Sequence, residues 1–262
     1  PLPRSAAKDE ERQIKIAVKY PMIREGVSVL EKFSILKAAG FQGVEITIGQ
    51  RKEVREILKA VDATGMVVHG VVHWTSGNYE ESLNLCKAVG GDSVLVVARL
   101  KPKASYDENF KLAQGYLRKA IPQAEKLGIR LLVENVRDSF LKKAEEMARF
   151  IDELKSPAMG AYFDTGNAIT WTDQTAEHWV RVLGQRIVKL DIKDRGHVDF
   201  GDSKKRSPNA VGTDGGEVHW KNVRNELETI KFAGWATAET KGGDEARLKD
   251  MARWVQGVLN PR

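Results

Sequence analysis

Eight short apolar runs alternate with eight amphipathic stretches along almost the whole chain. The runs cover residues 14–20, 43–48, 66–72, 93–98, 129–135, 159–164, 187–192 and 235–239, and β-branched residues are frequent in them. The amphipathic stretches fall near 28–39, 51–63, 78–89, 107–127, 139–154, 175–184, 219–231 and 245–258. Alternation of this kind builds parallel strands joined by right-handed helical crossovers. Eight such units within a 262-residue chain predict an α/β fold, a (β/α)8 TIM barrel. The alternative is a doubly wound open sheet. That fold usually opens with a Gly-rich phosphate loop after its first strand, and Lys19-Tyr20-Pro21-Met22-Ile23 is not one.

Boundary residues support the alternation. Gly40, Gly65, Gly90 and Gly128 stand where helices should stop. Ser28, Asn78, Asp107, Ser139 and Thr175 stand where N-caps are expected. Pro122 falls inside the fourth helical pattern and should kink or break it. Residues 1–12 are polar and Pro-containing and read as a disordered lead-in, which leaves 13–262 for a single barrel domain. The sequence starts without Met, from which removal of an export signal or a tag is expected; the compartment stays open, cytoplasmic or, if an export signal was removed, periplasmic.

Composition narrows the function classes. With 42% hydrophobic residues the chain can fill one large core, and no apolar run reaches the roughly 20 residues that span a bilayer. One cysteine, Cys86, rules out an internal disulfide and reads as a small buried residue. The net charge of +6 is spread along the chain, apart from Lys204-Lys205-Arg206, and favours anionic ligands only weakly.

Four of the runs end on a carboxylate: Glu134, Asp164, Asp191 and Glu239. A buried carboxylate is costly unless its charge is compensated. Four of them suggest a shared cation and hence a metal-dependent enzyme. Side chains alternate along a strand, which sorts them by face. Val188, Leu190 and Ile192 should face the helices, leaving Lys189, Asp191 and Lys193 inside. Glu45, Glu134, Asp164 and Glu239 also fall on the inner face, and His69 and His73 share a parity. In a barrel, inner residues at C-terminal strand ends line the active-site mouth. An all-oxygen set suits Mg²⁺ or Mn²⁺ better than Zn²⁺. Such an ion could polarise a carbonyl and stabilise an enediolate. Glu134 and Glu239 would then exchange a proton as base and acid. The structural alternative is a cluster neutralised by Lys189, Lys193, Arg137 and Arg195.

These motifs resemble the sugar phosphate isomerase/epimerase family, the xylose isomerase-like TIM barrels. The matching stretches are Leu132-Val133-Glu134-Asn135, Phe163-Asp164-Thr165-Gly166-Asn167, Asp191-Ile192-Lys193-Asp194-Arg195, residues 234–239 and the early run from Ala39 to Ile46. The resemblance implies one divalent metal ion, Mn²⁺ or Mg²⁺ with Zn²⁺ or Co²⁺ as alternatives, held by Glu134, Asp164, Asp191 and Glu239. It implies Glu134 and Glu239 as the acid/base pair, a small carbohydrate substrate, and assembly into homo-oligomers as a possibility. Two residues depart from the family pattern: Asp191 and Asn167 stand where histidines are usual.

Further expectations concern the substrate. Glu45, His73, Asn167, Lys193 and Arg195 are candidate contacts; Glu45 alternatively pairs with Lys19, and Lys193 and Arg195 alternatively balance Asp191 and Asp194. His69 reads as a core histidine and His178 as helix surface. The long stretch 196–217 reads as a lid or edge loop over the mouth. The leading function is a metal-dependent sugar isomerase or epimerase. A keto-sugar or keto-glycoside lyase or dehydratase begins with the same proton abstraction. An abasic-site endonuclease would need more histidines than His69, His73, His178, His197 and His219, which disfavours a nucleic-acid partner. A non-catalytic sugar-binding barrel is the remaining alternative.

Overall fold

The computed structural model describes residues 14–196, 207–210 and 216–260, with backbone only for 195–196 and 207–210. The expected lead-in, 1–12, lies outside the described residues, as do His197 and Lys204-Lys205-Arg206.

Eight parallel strands close into a barrel. They are β1 (Lys15–Lys19), β2 (Gly43–Thr47), β3 (Val67–His73), β4 (Ser93–Val97), β5 (Arg130–Glu134), β6 (Met159–Asp164), β7 (Ile187–Ile192) and, last in the chain, β10 (Trp235–Ala238). Around the ring they run β1-β10-β7-β6-β5-β4-β3-β2. Two short strands, β8 (Asp194–Gly196) and β9 (Ser207–Ala210), form a separate antiparallel ribbon.

The helices are α1 (Val29–Ala39), α2 (Val54–Thr64), α3 (Glu80–Ala88), α4 (Tyr106–Leu127), α5 (Ala144–Asp152), α6 (Thr165–Trp171), α7 (Ala176–Leu183), α8 (Trp220–Thr229) and α9 (Glu245–Leu259). The ribbon lies beside α6. The main core fills the space between barrel and helices; a small second cluster of Val72, Leu95, Leu132 and Tyr162 fills the barrel itself.

Several local expectations hold. Ser28 caps α1, accepting from Glu31 N–H, and Thr175 caps α7. Gly40, Gly65 and Gly128 close α1, α2 and α4 with positive φ, which costs glycine no Cβ clash. Others do not. Asn78 adopts φ 55° and does not cap α3. Ser105, not Asp107, caps α4. Ser139 precedes α5 by several residues and accepts from Leu141 N–H instead. Pro122 does not break α4. The proline removes one ladder hydrogen bond, but Ala120, Ile121 and Ala124 around it are buried against the core and hold the helix. The helix α6 was not expected. Its signal was Asp164, whose side chain accepts from Asn167 N–H as an N-cap.

Two irregularities change which side chains point inward. The β2–β3 register slips between Val44 and Glu45, which pair with Val68 and Gly70. The extra residue is His69. Val68 and Val71 therefore join the outer core while Val72 joins the inner cluster. His69 faces into the barrel, and His73 turns out toward α3. The β6–β7 register slips likewise, Ala161 pairing with Ile187 and Tyr162 with Lys189. Val188 thus packs against the inner cluster rather than facing the helices as alternation predicts.

Candidate metal centre

Glu134 ends β5, Asp164 ends β6, Asp191 lies near the end of β7 and Glu239 follows β10. These strands are consecutive neighbours in the ring, so their ends share one arc of the barrel mouth. One carboxylate oxygen from each of the four lies within 4.8 Å of the others. Glu134, Asp164 and Asp191 are buried. Glu45, on β2, is a fifth buried carboxylate close by.

Two lysines enter this acidic group. Lys19, from the end of β1, places Nζ 2.8 Å from Asp191 Oδ2, 3.3 Å from Glu239 Oε1 and 3.4 Å from Glu45 Oε2. These are ion-pair separations without hydrogen-bond geometry. Lys193 places Nζ 2.7 Å from both Asp164 Oδ2 and Glu239 Oε2, donating to the latter. Its charge partners are therefore Asp164 and Glu239, not Asp191 and Asp194. Asp194 instead accepts from the backbone N–H groups of Glu217 and Val218 and from Trp220 Nε1. Lys189 lies away from the cluster, donating to His69 O and Asp92. Arg137 pairs with Asp138 and lies over Trp171. Lys19 was legible only as a partner for Glu45. Its approach to Asp191 follows from barrel closure, which sets β1 against β10 and β10 against β7.

Asn167 organises the other side. Its Nδ2 donates to Glu134 Oε1 at 3.1 Å, its backbone N–H donates to Asp164 Oδ1 at 2.7 Å, and its Oδ1 accepts from Trp171 Nε1 at 3.1 Å. Asn135 locks the Asp164 backbone by exchanging two hydrogen bonds of 2.8 Å. Beneath the cluster, Tyr162 Oη and Thr237 Oγ1 are 2.7 Å apart, and Thr237 Oγ1 lies 3.2 Å from His69 Nε2.

Charge crowding sets the protonation behaviour. Burial, with Glu239 nearby, pushes the Glu134 carboxyl up to about 8. Burial raises Asp164 to about 6 against the pull of Lys193, and raises Asp191 well above the usual carboxylate range against Lys19. Burial would raise Glu239 too, but Lys19 and Lys193 together bring it down to about 2.

The donor set fits a divalent cation. Glu134 Oε2 and Asp191 Oδ1 are buried without a hydrogen-bond partner, while Asp164 Oδ2 and Asp191 Oδ2 each face a lysine ammonium. Buried unpaired carboxylate oxygens are rare in folded proteins, and a cation among them removes the cost. All four donors are hard oxygens, the chemistry of Mn²⁺ and Mg²⁺.

The other candidates are placed as follows. Glu45 is engaged by Lys19. His73 has both ring nitrogens in contact, Nδ1 with Ser82 Oγ at 2.7 Å and Nε2 with Thr75 Oγ1 at 2.9 Å, and it packs edge-on against Tyr79. Its ring thus points to α3, away from the barrel interior. Arg195 lies in the ribbon, and its side chain is outside the described residues. His178 sits on a half-exposed surface 2.8 Å from Glu145. Cys86 is buried.

A closed (β/α)8 barrel carries carboxylates at four successive strand ends, a cluster that could hold a metal ion. The family model for the xylose isomerase-like TIM barrel matches residues 33–258, and the chain belongs to that family. Similar solved structures include 3-keto-D-glucoside 4-epimerase from E. coli, at 19% identity and a TM-score of 0.77, covering 93% of this chain and 99% of that one. The IOLI protein, solved with a bound zinc atom, has 13% identity and a TM-score of 0.77, with 94% and 98% covered. D-psicose 3-epimerase from Clostridium cellulolyticum H10, solved with D-tagatose, has 14% identity and a TM-score of 0.73, with 94% and 97% covered. No curated protein matches the sequence. No helix among the described residues is long and apolar enough to cross a membrane.

Proposed function

We propose that this protein is a divalent-metal-dependent isomerase or epimerase of a sugar or keto-sugar. The observation that carries this reading is the convergence of Glu134, Asp164, Asp191 and Glu239, with Glu134 Oε2 and Asp191 Oδ1 buried and without a hydrogen-bond partner. The sugar epimerases among the similar folds support the substrate class. The four carboxylates would hold the ion. Mn²⁺ or Mg²⁺ suits the oxygen donors, and the zinc of the IOLI protein keeps Zn²⁺ in the test set.

When bound, the ion supplies Lewis-acid polarisation of a carbonyl and an adjacent hydroxyl. Glu134 and Glu239 stand at the two ends of the four-strand arc. One removes a proton from the carbon next to the carbonyl, and the other returns one from the opposite side. Asn167 holds Glu134 in orientation. Lys193 holds Glu239 and Asp164 at a fixed spacing and can donate to a substrate oxygen.

The experiment is incubation in D₂O with MnCl₂ and a panel of ketoses and 3-keto-glycosides, read by proton NMR. The expected result is deuterium at the carbon next to the carbonyl, lost in Glu134→Gln and Glu239→Gln. An elimination product would move the assignment to a lyase. No exchange with any substrate, together with unchanged Mn²⁺ affinity in Glu134→Gln, would sink the catalytic reading.

A further inference from the structure

We propose that Lys19 is a resident cation of the metal centre, which limits it to a single divalent ion and weakens its grip on that ion. The inference rests on the metal reading above and concerns a residue that reading leaves unused.

Three observations carry it. First, Lys19 is 1% exposed, and its ammonium lies against three carboxylates, two of which belong to the proposed ligand set. Second, its Nζ has no hydrogen-bond partner, although it is buried. Third, the group does not depend on Asp191 and Glu239 alone for its place. The ring of Tyr162 lies 5.5 Å from Nζ and that of Trp74 5.4 Å, and Glu45 lies outside the four-ligand set. Cation–π contact attracts a desolvated ammonium independently of the carboxylates, so Lys19 can stay when a divalent ion takes Asp191 and Glu239.

Charge then decides how many ions fit. With all groups ionised, Glu45, Glu134, Asp164, Asp191 and Glu239 face the two ammonium groups of Lys19 and Lys193 and keep a net charge of −3. One divalent ion brings this to −1, and a second would leave a buried excess of positive charge. Without Lys19 the cluster carries −4 and two ions would balance it. Asp191 is the residue whose charge Lys19 offsets at the shortest distance, 2.8 Å. The pair therefore acts as a near-neutral unit at this strand end.

The test is Mn²⁺ titration by calorimetry on the metal-free full chain, for the wild type, Lys19→Met, Lys19→Arg and the double variant Lys19→Met/Glu45→Gln, which removes a carboxylate outside the ligand set. The wild type and Lys19→Arg should take one ion with similar affinity. Lys19→Met should bind at least tenfold tighter or take a second ion. The double variant, with the charge restored to that of the wild type, should lose that gain. If Lys19→Met fails to fold without metal, Mn²⁺ should restore its melting transition, and failure to do so overturns the proposal. Equal or weaker affinity in a folded Lys19→Met overturns the role of Lys19 while the metal centre stands. No Mn²⁺ binding by the wild type overturns both.

Discussion

Asn167 Nδ2 donates to Glu134 Oε1 at 3.1 Å, bridging from the first turn of α6 to the end of β5. The same residue donates its backbone N–H to the capping carboxylate of Asp164 and is held by the Trp171 indole. One side chain therefore orients a proposed acid/base residue from within a hydrogen-bonded frame. Asn167→Ala should lower Mn²⁺ affinity or the exchange rate by about 10–100-fold, the usual effect of losing a partner that orients a ligand. Metal titration and D₂O exchange measure the two effects separately.

Glu134→Gln should separate stability from metal binding. Glu134 is repelled by Glu239 and Asp164 and has one oxygen without a partner. Burial and this repulsion keep the carboxyl protonated up to about pH 8, a cost at neutral pH that the neutral amide does not carry, so the metal-free variant should melt above the wild type at pH 7. In saturating Mn²⁺ the order should reverse, because the amide is a poorer ligand. Melting curves with and without metal check both halves. A lower metal-free melting temperature for the variant would contradict the repulsion argument.

The same residue predicts a pH dependence. Its folded-state value of about 8 lies above the ordinary 4.5, so between these values the folded protein binds more protons than the unfolded one. Stability then falls as pH rises toward 8. Glu239, held at about 2, contributes fully throughout this range. Buried His69 and His73 are held below the ordinary imidazole value of 6.5 and act in the opposite sense, but only up to about pH 7. The metal-free wild type should therefore lose melting temperature from pH 7 to 8.5. Glu134→Gln should lose less, and added Mn²⁺ should remove the fall. Melting scans at fixed ionic strength test this.

Gly166 offers a structural test. A Cβ there would lie 2.5 Å from Lys193 Cγ and 3.1 Å from its backbone carbonyl. Glycine to alanine inside a helix ordinarily stabilises by roughly 1 kcal/mol. Here the overlap should outweigh that gain and cost about 1–3 kcal/mol, displacing the Lys193 ammonium from Asp164 and Glu239. Urea denaturation should show a lower midpoint with an unchanged slope. A variant more stable than the wild type would refute the close approach.

Much of this protein was legible in the sequence. Strand–helix alternation dictates parallel strands and crossover helices, and eight repeats close the ring, so the barrel followed from local pattern alone. The positions of Glu134, Asp164, Asp191 and Glu239 at strand ends were equally plain, because each ends an apolar run. Side-chain direction was less so. Alternation assigns faces only while pairing is regular, and the slips at His69 and at Val188 depend on how neighbouring strands meet. Hence His73, expected at the mouth, faces α3, and Val188 lies inside.

The sequence by itself determined the barrel and the four carboxylates that crown one arc of it, because both rest on short-range periodicity. Only the tertiary structure decided what stands among those carboxylates. Lys19 is far from Asp191 along the chain, and no local pattern links them. Closure of the ring sets them 2.8 Å apart, because it brings the first strand alongside the last.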